Sequence, residues 1–251
     1  MKDQPALQCS KSFRDRLLSN EILLGGWLQM ASVTSAELLA DAGFDWAAVD
    51  CEHGLIDLPM AASMLGALEA RKVSGLIRLP ACDGIWIRRA LDAGASGLIV
   101  PMVNSVDIAR EAVRWTRYPP VGERGFGFSR ANGYGARFDE YCAAANKTIA
   151  LVAQIEHISA VEQIEDILAV QGLDALFIGP YDLAGSMGLV GQPRHPQVLN
   201  ACECVLQAAQ AKNIPAGIHV VSANPQDATP YIEKGFKLIA LGIDTLFIRH
   251  T

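Results

Sequence analysis

Residues 149–179 decide the fold: Ile149-Ala-Leu-Val-Ala-Gln-Ile-Glu156, then a polar-apolar stretch from His157 to Asp174, then Ala175-Leu-Phe-Ile-Gly179. Two short, nearly continuous apolar runs flank Ala160–Val170, whose apolar residues recur at helical spacing. A continuous apolar run leaves no polar face for solvent. A strand made of it must be covered on both sides, as in a parallel sheet with helices packed over it. The same alternation repeats outward in both directions. Strand-like runs at Ile22–Leu28, Phe44–Asp50, Ser74–Leu79, Gly97–Val103, Ala216–Val221 and Leu238–Gly242 bring the total to eight. Between them lie amphipathic stretches at Ser35–Ala42, Leu58–Ala70, Ile85–Ala93, Ser105–Trp115, Gln197–Lys212 and Pro225–Lys234. Eight such units in 251 residues predict an α/β fold, a single (β/α)8 TIM barrel over residues 1–251 with an N-terminal helical segment at 1–20. An open, doubly wound sheet would carry a glycine-rich turn after its first strand. Here Gln29-Met30-Ala31-Ser32 follows instead.

Two segments break the pattern. Tyr118 to Tyr141 is long, rich in Gly, Arg and aromatic residues, and has no clean period. Loops of that length in compact domains are usually functional. The chain also stops nine residues after Gly242, so the eighth helix is expected to be short or absent. Either another segment completes the barrel, such as a helix over Ser12–Leu18, or the last helix is cut short.

The composition is 51% hydrophobic and 19% charged, in keeping with a sizeable core. A net charge of −6 without any basic block argues against nucleic acid and anionic membranes as partners. No apolar run approaches the ~20 residues of a membrane helix. The N-terminal MKDQPALQCSKSFRD lacks the apolar centre of a secretory signal, so a cytoplasmic location is expected. Six scattered cysteines, including Cys9, suit reduced thiols. Cys202 and Cys204, two apart on an expected helix, point in different directions and argue against a zinc site.

Barrel active sites lie at the C-terminal ends of the strands. The residues expected there are polar: Trp27, Asp50-Cys51-Glu52-His53, Arg78, Gln154-Ile155-Glu156, Asp182 and His219. Pro101 and Gly242 end the fourth and eighth runs and leave space. Strand alternation puts Gln154 and Glu156 on one face and Ile155 on the other. Glu156 and Asp182, from adjacent strands, offer hard oxygen ligands for Mg²⁺ or Mn²⁺. Each also has a plainer reading as a helix cap. His53 follows a carboxylate-rich strand end, with Asp50 and Glu52 near it and Asp92 ending a later helix. A carboxylate–imidazole pair makes a base that works near neutral pH. Arg78 ends a buried run, where a guanidinium needs an anionic ligand or an internal salt bridge. Chemistry that holds an enolate uses a Schiff-base lysine or a Lewis-acid metal. The lysines are at 2, 11, 72, 147, 212, 234 and 237, and none ends an expected strand. The metal route is therefore favoured.

The stretches AELLADAGFDWAAVDCEHG, IRLP, RRALDAGASGLIVPMVNS, TRYPPVGERGFG, ALVAQIE and ALFIGPYDLAGSMGLVGQPRHPQV carry a resemblance. In combination the chain resembles the HpcH/HpaI aldolases, class II pyruvate aldolases acting on 4-hydroxy-2-oxo acids. The resemblance implies a (β/α)8 barrel assembled as a trimer of dimers. It also implies a divalent ion (Mg²⁺, Mn²⁺ or Co²⁺) on Glu156 and Asp182, with a small 2-oxo acid and an aldehyde as substrates. Arg78 would stabilise the enolate oxygen, Gln154 would line the site, and His53, oriented by Asp92, would be the base. Backbone N–H groups around Gly179, Tyr181 and Asp182 would hold the donor carboxylate. Trp27 and Asp50 match positions around the site, and Arg130 matches an arginine that meets the aldehyde's distal carboxylate. Two positions depart from the family pattern. His219 stands where relatives carry an aliphatic residue, which suggests either a more polar donor pocket that shifts selectivity toward hydroxypyruvate or a merely packed histidine. Cys51 replaces a usual glycine. Two other readings remain: a 2-oxo-acid lyase such as an oxaloacetate decarboxylase on the same site, and a non-catalytic barrel that binds small acids.

Overall fold

The computed structural model describes residues 11–250, so residues 1–10 of the expected N-terminal segment, with Cys9, lie outside the described residues. The first half of the chain runs α1 (Phe13–Leu18), β1 (Leu23–Leu28), α2 (Val33–Asp41), β2 (Trp46–Asp50), α3 (Leu58–Ala70), β3 (Ser74–Arg78), α4 (Gly84–Asp92), β4 (Gly97–Val100) and α5 (Val106–Thr116). The second half runs α6 (Phe138–Thr148), β5 (Ala150–Ile155), α7 (Ile158–Glu162), α8 (Ile164–Ile167), β6 (Ala175–Ile178), α9 (Pro180–Ser186), α10 (Pro196–Ala211), β7 (Ala216–Val220), α11 (Thr229–Lys234), β8 (Leu238–Ile243) and α12 (Asp244–Arg249). All the strands are parallel, each pairs with the next, and β8 closes on β1 into a barrel. Every strand falls within an expected run except β8, which continues one residue further to Ile243. The helix expected over Ala160–Val170 is interrupted at Gln163, whose backbone leaves the helical region at φ −108° and ψ 14°.

Alternation along the strands creates two cores. The barrel interior holds Leu23, Trp27, Trp46, Leu76, Ile99, Val152 and Phe177, while the larger layer between strands and helices takes the alternate residues such as Val49, Ile77, Leu98 and Ile155. Fully burying a side chain of this size is worth ~1.5–3 kcal/mol. The interior fills by opposing large and absent side chains. A Cβ at Gly25 would stand 2.2 Å from the Trp46 ring, so only glycine admits that indole.

α1 does not stand in for an eighth helix. Phe13 and Leu17 insert into the interior cluster, with Phe13 6.4 Å from Trp46, so α1 plugs the N-terminal end of the barrel. Ser12 and Asp15 form a capping box that starts it. Arg14 then ties it to Asp174 at 2.7 Å, a carboxylate that also receives Arg117 and the Leu151 amide. The eighth helix is α12, six residues long. The Asp244 carboxylate latches it by accepting from the Gln29 and Met30 amides and from Ser35 Oγ. Among the described residues no helix is long and apolar enough to cross a membrane.

In a βα unit the helix runs back from the strand's C-terminal end to its N-terminal end. α5 therefore delivers the chain to the N-terminal face, and the long segment 117–137 lies there. Its Arg130 donates to Ala93 O, just past α4, and to Glu69 near the end of α3. The loop expected to be functional from its length thus sits at the face opposite the strand ends where barrel chemistry occurs.

Candidate active site

The C-terminal end of the barrel is organised by Asp50, which has no solvent exposure. Asp50 and Arg78 are direct partners in the β2–β3 register. Arg78 Nε and Nη2 donate to the two Asp50 oxygens at 2.9 and 2.6 Å, a bidentate pair. Asp50 also accepts from Gln29 Nε2 and from the amides of Glu52 and His53, so it shapes the turn that carries His53. Burial alone would push its carboxyl up; the Arg78 guanidinium, helped by Gln29 and the His53 amide, outweighs this and holds it below the ordinary carboxylate range. Of the alternatives open for Arg78, the internal salt bridge is present. Its Nη1 makes no hydrogen bond among the described residues, and its guanidinium carbon stands 4.3 Å over the Trp27 ring.

Glu156, just after β5, is 3% exposed. Its Oε1 accepts from the Met102 amide at 2.7 Å, and its Oε2 accepts from Gln154 Nε2. Gln154 and Glu156 thus share a face, while Ile155 packs outward. Burial raises the Glu156 carboxyl to about 7 against the Met102 and Gln154 hydrogen bonds, and Glu52 and Asp182 push in the same direction as burial. Glu52 is itself raised, first by burial and also by Asp50 and Asp182, with Arg78 opposing. Glu52, Glu156 and Asp182 therefore form one electrostatically coupled cluster. Gly179 permits the close approach: a Cβ there would lie 2.8 Å from Glu156 Oε2.

Asp182 lies exposed in the first turn of α9, beside the exposed Tyr181. The Gly179 amide is unavailable to a ligand because it donates to Ile155 O at 3.0 Å, and Pro180 has no N–H. Of the expected backbone donors, those of Tyr181 and Asp182 remain, as first-turn amides without an intrahelical partner. His53 lies at the rim with its side chain 59% exposed and Nε2 3.9 Å from Glu52 Oε2. His219 is in the wall, its ring 5.8 Å from that of Trp27. Burial lowers His219 to about 4, against a hydrogen bond to the Gly242 backbone. Trp27, Arg78, Gln154, Gly179, Asp182 and His219 line one pocket of about 70 Å³.

Two expected residues are not brought to this end within one chain. Asp92 is the last residue of α4, so it lies at the N-terminal face, where it pairs with Arg124 at 2.9 Å and does not meet His53. Arg130 lies at the same face, on the segment that follows α5. Two participants carry little or no signal in the sequence. Glu52 enters there only as a neighbour of His53, although its two-residue offset from Asp50 already places it by alternation. The Met102 amide reaches Glu156 through a left-handed backbone (φ 52°), which no residue type announces.

The donor set fits a divalent ion. Glu52 Oε2 and Gln154 Oε1 are buried acceptors without a hydrogen-bond partner among the described residues, next to a carboxyl that neighbouring negative charge already penalises. A surplus of hard acceptors is what a cation relieves. Among the described residues no three His, Cys, Asp or Glu side chains group as a complete cage.

An acidic cluster beside a small pocket at the C-terminal end of a (β/α)8 barrel is where barrel enzymes carry their chemistry. The chain belongs to the HpcH/HpaI aldolase/citrate lyase family, whose pattern it matches over residues 23–251. It is 39% identical to a 4-hydroxy-2-oxo-heptane-1,7-dioate aldolase of Escherichia coli over 240 residues, covering 94% of this chain and 90% of that one. It is 40% identical to a 4-hydroxy-2-oxovalerate aldolase of Novosphingobium aromaticivorans over 235 residues, covering 93% and 88%. Among solved structures, an HpcH/HpaI aldolase/citrate lyase family protein from Burkholderia cenocepacia J2315 superposes with a TM-score of 0.91 at 38% identity, covering 96% of each chain. The protein is an enzyme, a carbon–carbon lyase, and the non-catalytic reading falls away. Class II aldolases of this kind are generally dependent on a divalent metal.

Proposed function

We propose that the protein catalyses reversible aldol cleavage of 4-hydroxy-2-oxo acids to pyruvate, or hydroxypyruvate, and an aldehyde. The observation that carries this reading is Glu156: a buried carboxyl, raised to about 7, beside two more carboxylates and two buried acceptor oxygens that receive no hydrogen bond among the described residues. A divalent ion (Mg²⁺, Mn²⁺ or Co²⁺) held by Glu156 and Asp182 would supply the Lewis acid that polarises the 2-oxo group. Arg78, fixed by Asp50, presents Nη1 to the negative charge that develops on the 2-oxo oxygen in the transition state. Gln154 orients Glu156, and the Tyr181 and Asp182 amides face the donor carboxylate. His53, at the open rim, takes the proton of the 4-hydroxyl as the C3–C4 bond breaks.

The placement of Asp92 and Arg130 supports a homo-oligomer, in our reading a trimer of dimers. Both residues reach an active site only if a neighbouring copy presents its N-terminal face to it. Free thiols at Cys51, Cys82, Cys142, Cys202 and Cys204 support a reducing, cytoplasmic setting.

The test is a retro-aldol screen over 4-hydroxy-2-oxo acids, with pyruvate release coupled to a dehydrogenase, run with Mn²⁺ and with EDTA. The expected result is turnover that EDTA abolishes and that Glu156→Ala and His53→Ala each impair. Turnover that survives EDTA would overturn the metal-dependent reading. Turnover of oxaloacetate alone would assign the site to decarboxylation.

A further inference from the structure

Three polar atoms at the floor of the site are buried without a hydrogen-bond partner among the described residues: Trp27 Nε1, Gln154 Oε1 and His219 Nε2. All three residues line the same 70 Å³ pocket. Buried polar groups are normally satisfied, so three orphans around one cavity call for a ligand with complementary groups. The carboxylate cluster accounts for Gln154 Oε1, which lies beside it. It does not account for the tryptophan donor of β1 and the histidine of β7.

The protonation of His219 follows from its surroundings. It is buried beside the Trp27 ring, with Arg78 and Asp50 close enough to act on it in opposite directions, and one ring nitrogen donates to the Gly242 backbone. The imidazole is neutral there, so Nε2 carries the lone pair and accepts. Trp27 Nε1 can only donate. An acceptor and a donor on adjacent rings, 5.8 Å between centroids, are the two halves of what a hydroxyl needs. Its O–H donates to His219 and its oxygen accepts from Trp27. A methyl group satisfies neither and leaves both polar atoms buried and unpaired.

Size decides where on the substrate that hydroxyl lies. The pocket is small, about 70 Å³. Arg78 and Asp182 line the same pocket, so the fragment it admits is the reacting end of the 2-oxo acid.

We propose that His219 and Trp27 form a hydroxyl-selective subsite, so that the preferred donor is a 2-oxo acid bearing a hydroxyl on the carbon that becomes the nucleophile. This rests on the aldolase reading above and names its donor class.

The test is competition. Wild-type protein with Mn²⁺ receives equal concentrations of hydroxypyruvate and pyruvate and one acceptor, glycolaldehyde, and the product ratio reports the ratio of kcat/KM. The hydroxypyruvate adduct is expected in excess by on the order of tenfold or more, the penalty for leaving such polar groups unpaired. His219→Leu and Trp27→Phe should each move the ratio toward pyruvate, and His219→Gln, which keeps an acceptor, should move it less than His219→Leu. A wild-type ratio near one overturns the inference and leaves the aldolase reading standing. So does a wild-type preference that neither substitution changes. The wild-type ratio decides even where a variant does not fold. No product from either donor overturns the aldolase reading and this inference together.

Discussion

Replacing Arg78 with leucine should destabilise the fold by about 3 kcal/mol, the lower end of the range for removing one partner of a buried ion pair. The magnitude follows from what Asp50 keeps. Asp50 has no solvent exposure and loses two hydrogen bonds, at 2.6 and 2.9 Å, together with the guanidinium that holds its carboxyl down. It retains Gln29 and the amides of Glu52 and His53, which is why the upper end of the range is not expected. For a domain of this size the loss corresponds to a fall in Tm of about 6–12 °C. The sign with pH is fixed. In the wild type the depressed Asp50 carboxyl contributes stability above its unfolded value, lost as pH falls through its folded one. In the variant, burial is no longer outweighed and the carboxyl rises. The penalty is then largest at neutral pH and shrinks as acid protonates Asp50. Thermal unfolding at pH 7.5 and pH 5, with Asp50→Asn and the double variant, completes the cycle. The double variant should be far more stable than the sum of the single losses predicts. Additive losses, or an Arg78→Leu penalty under about 1 kcal/mol, would refute the claim that this pair is a coupled, desolvated unit.

Gly179→Ala should lower kcat on the order of a hundredfold while the protein remains folded, because the new Cβ, 2.8 Å from Glu156 Oε2, displaces that carboxyl; steady-state kinetics beside circular dichroism would check it. The raised Glu156 carboxyl makes the metal-free fold lose stability as pH rises from the ordinary glutamate range through about 7, so Mn²⁺ should raise Tm more at pH 8 than at pH 5. A larger increment at pH 5 in differential scanning fluorimetry would contradict this. The lowered His219 works in the opposite direction. The unfolded state binds the extra proton between pH 6.5 and about 4, so this group removes up to about 3 kcal/mol as pH falls through that window. His219→Leu should flatten that part of the pH–Tm curve. Finally, mixing inactive Asp92→Ala chains with inactive Glu156→Ala chains should restore part of the activity if sites are completed by neighbouring copies, and an inactive mixture would return Asp92 to a purely local role.

The fold is legible because burial on both faces imposes a simple sequence signal. All eight strands lie where apolar runs predict them, and β8 gains a single residue. The site is legible where alternation or chemical expense speaks. Gln154 and Glu156 share a face through their two-residue offset, and Arg78 stands out because an arginine ending a buried run needs an anion. What fails is the assignment of residues to an end of the barrel. Asp92 and Arg130 lie within recognisable motifs, but a motif gives order along the chain and carries no direction. Direction comes from connectivity: a residue closing a βα helix is returned to the N-terminal face, and so is the loop that follows such a helix. Applied to α4 and to segment 117–137, that rule separates Asp92 and Arg130 from His53 on chain order alone. The Met102 amide has no such signal, because its aim depends on one left-handed residue.

The two faces differ in how they treat negative charge. At the N-terminal face Asp174 takes Arg14 and Arg117, and Asp92 takes Arg124, which also stacks 4.6 Å from the Tyr118 ring. Each of these buried or half-buried carboxylates thus has an arginine of its own. At the C-terminal face the arginine lining the pocket is committed to Asp50, whose task is to shape the His53 turn. Glu156 and Asp182 have no ion pair among the described residues, and Glu52 has the flank of Arg78, 3.3 Å away, and His53 Nε2, 3.9 Å away, with no hydrogen bond to either. For Glu156, which is buried, leaving negative charge uncompensated is destabilising. The proposed cation would account for a glutamate at that position. The carboxylates that the fold declines to neutralise are therefore the ones to read as machinery, and here they are the residues that would hold the cation.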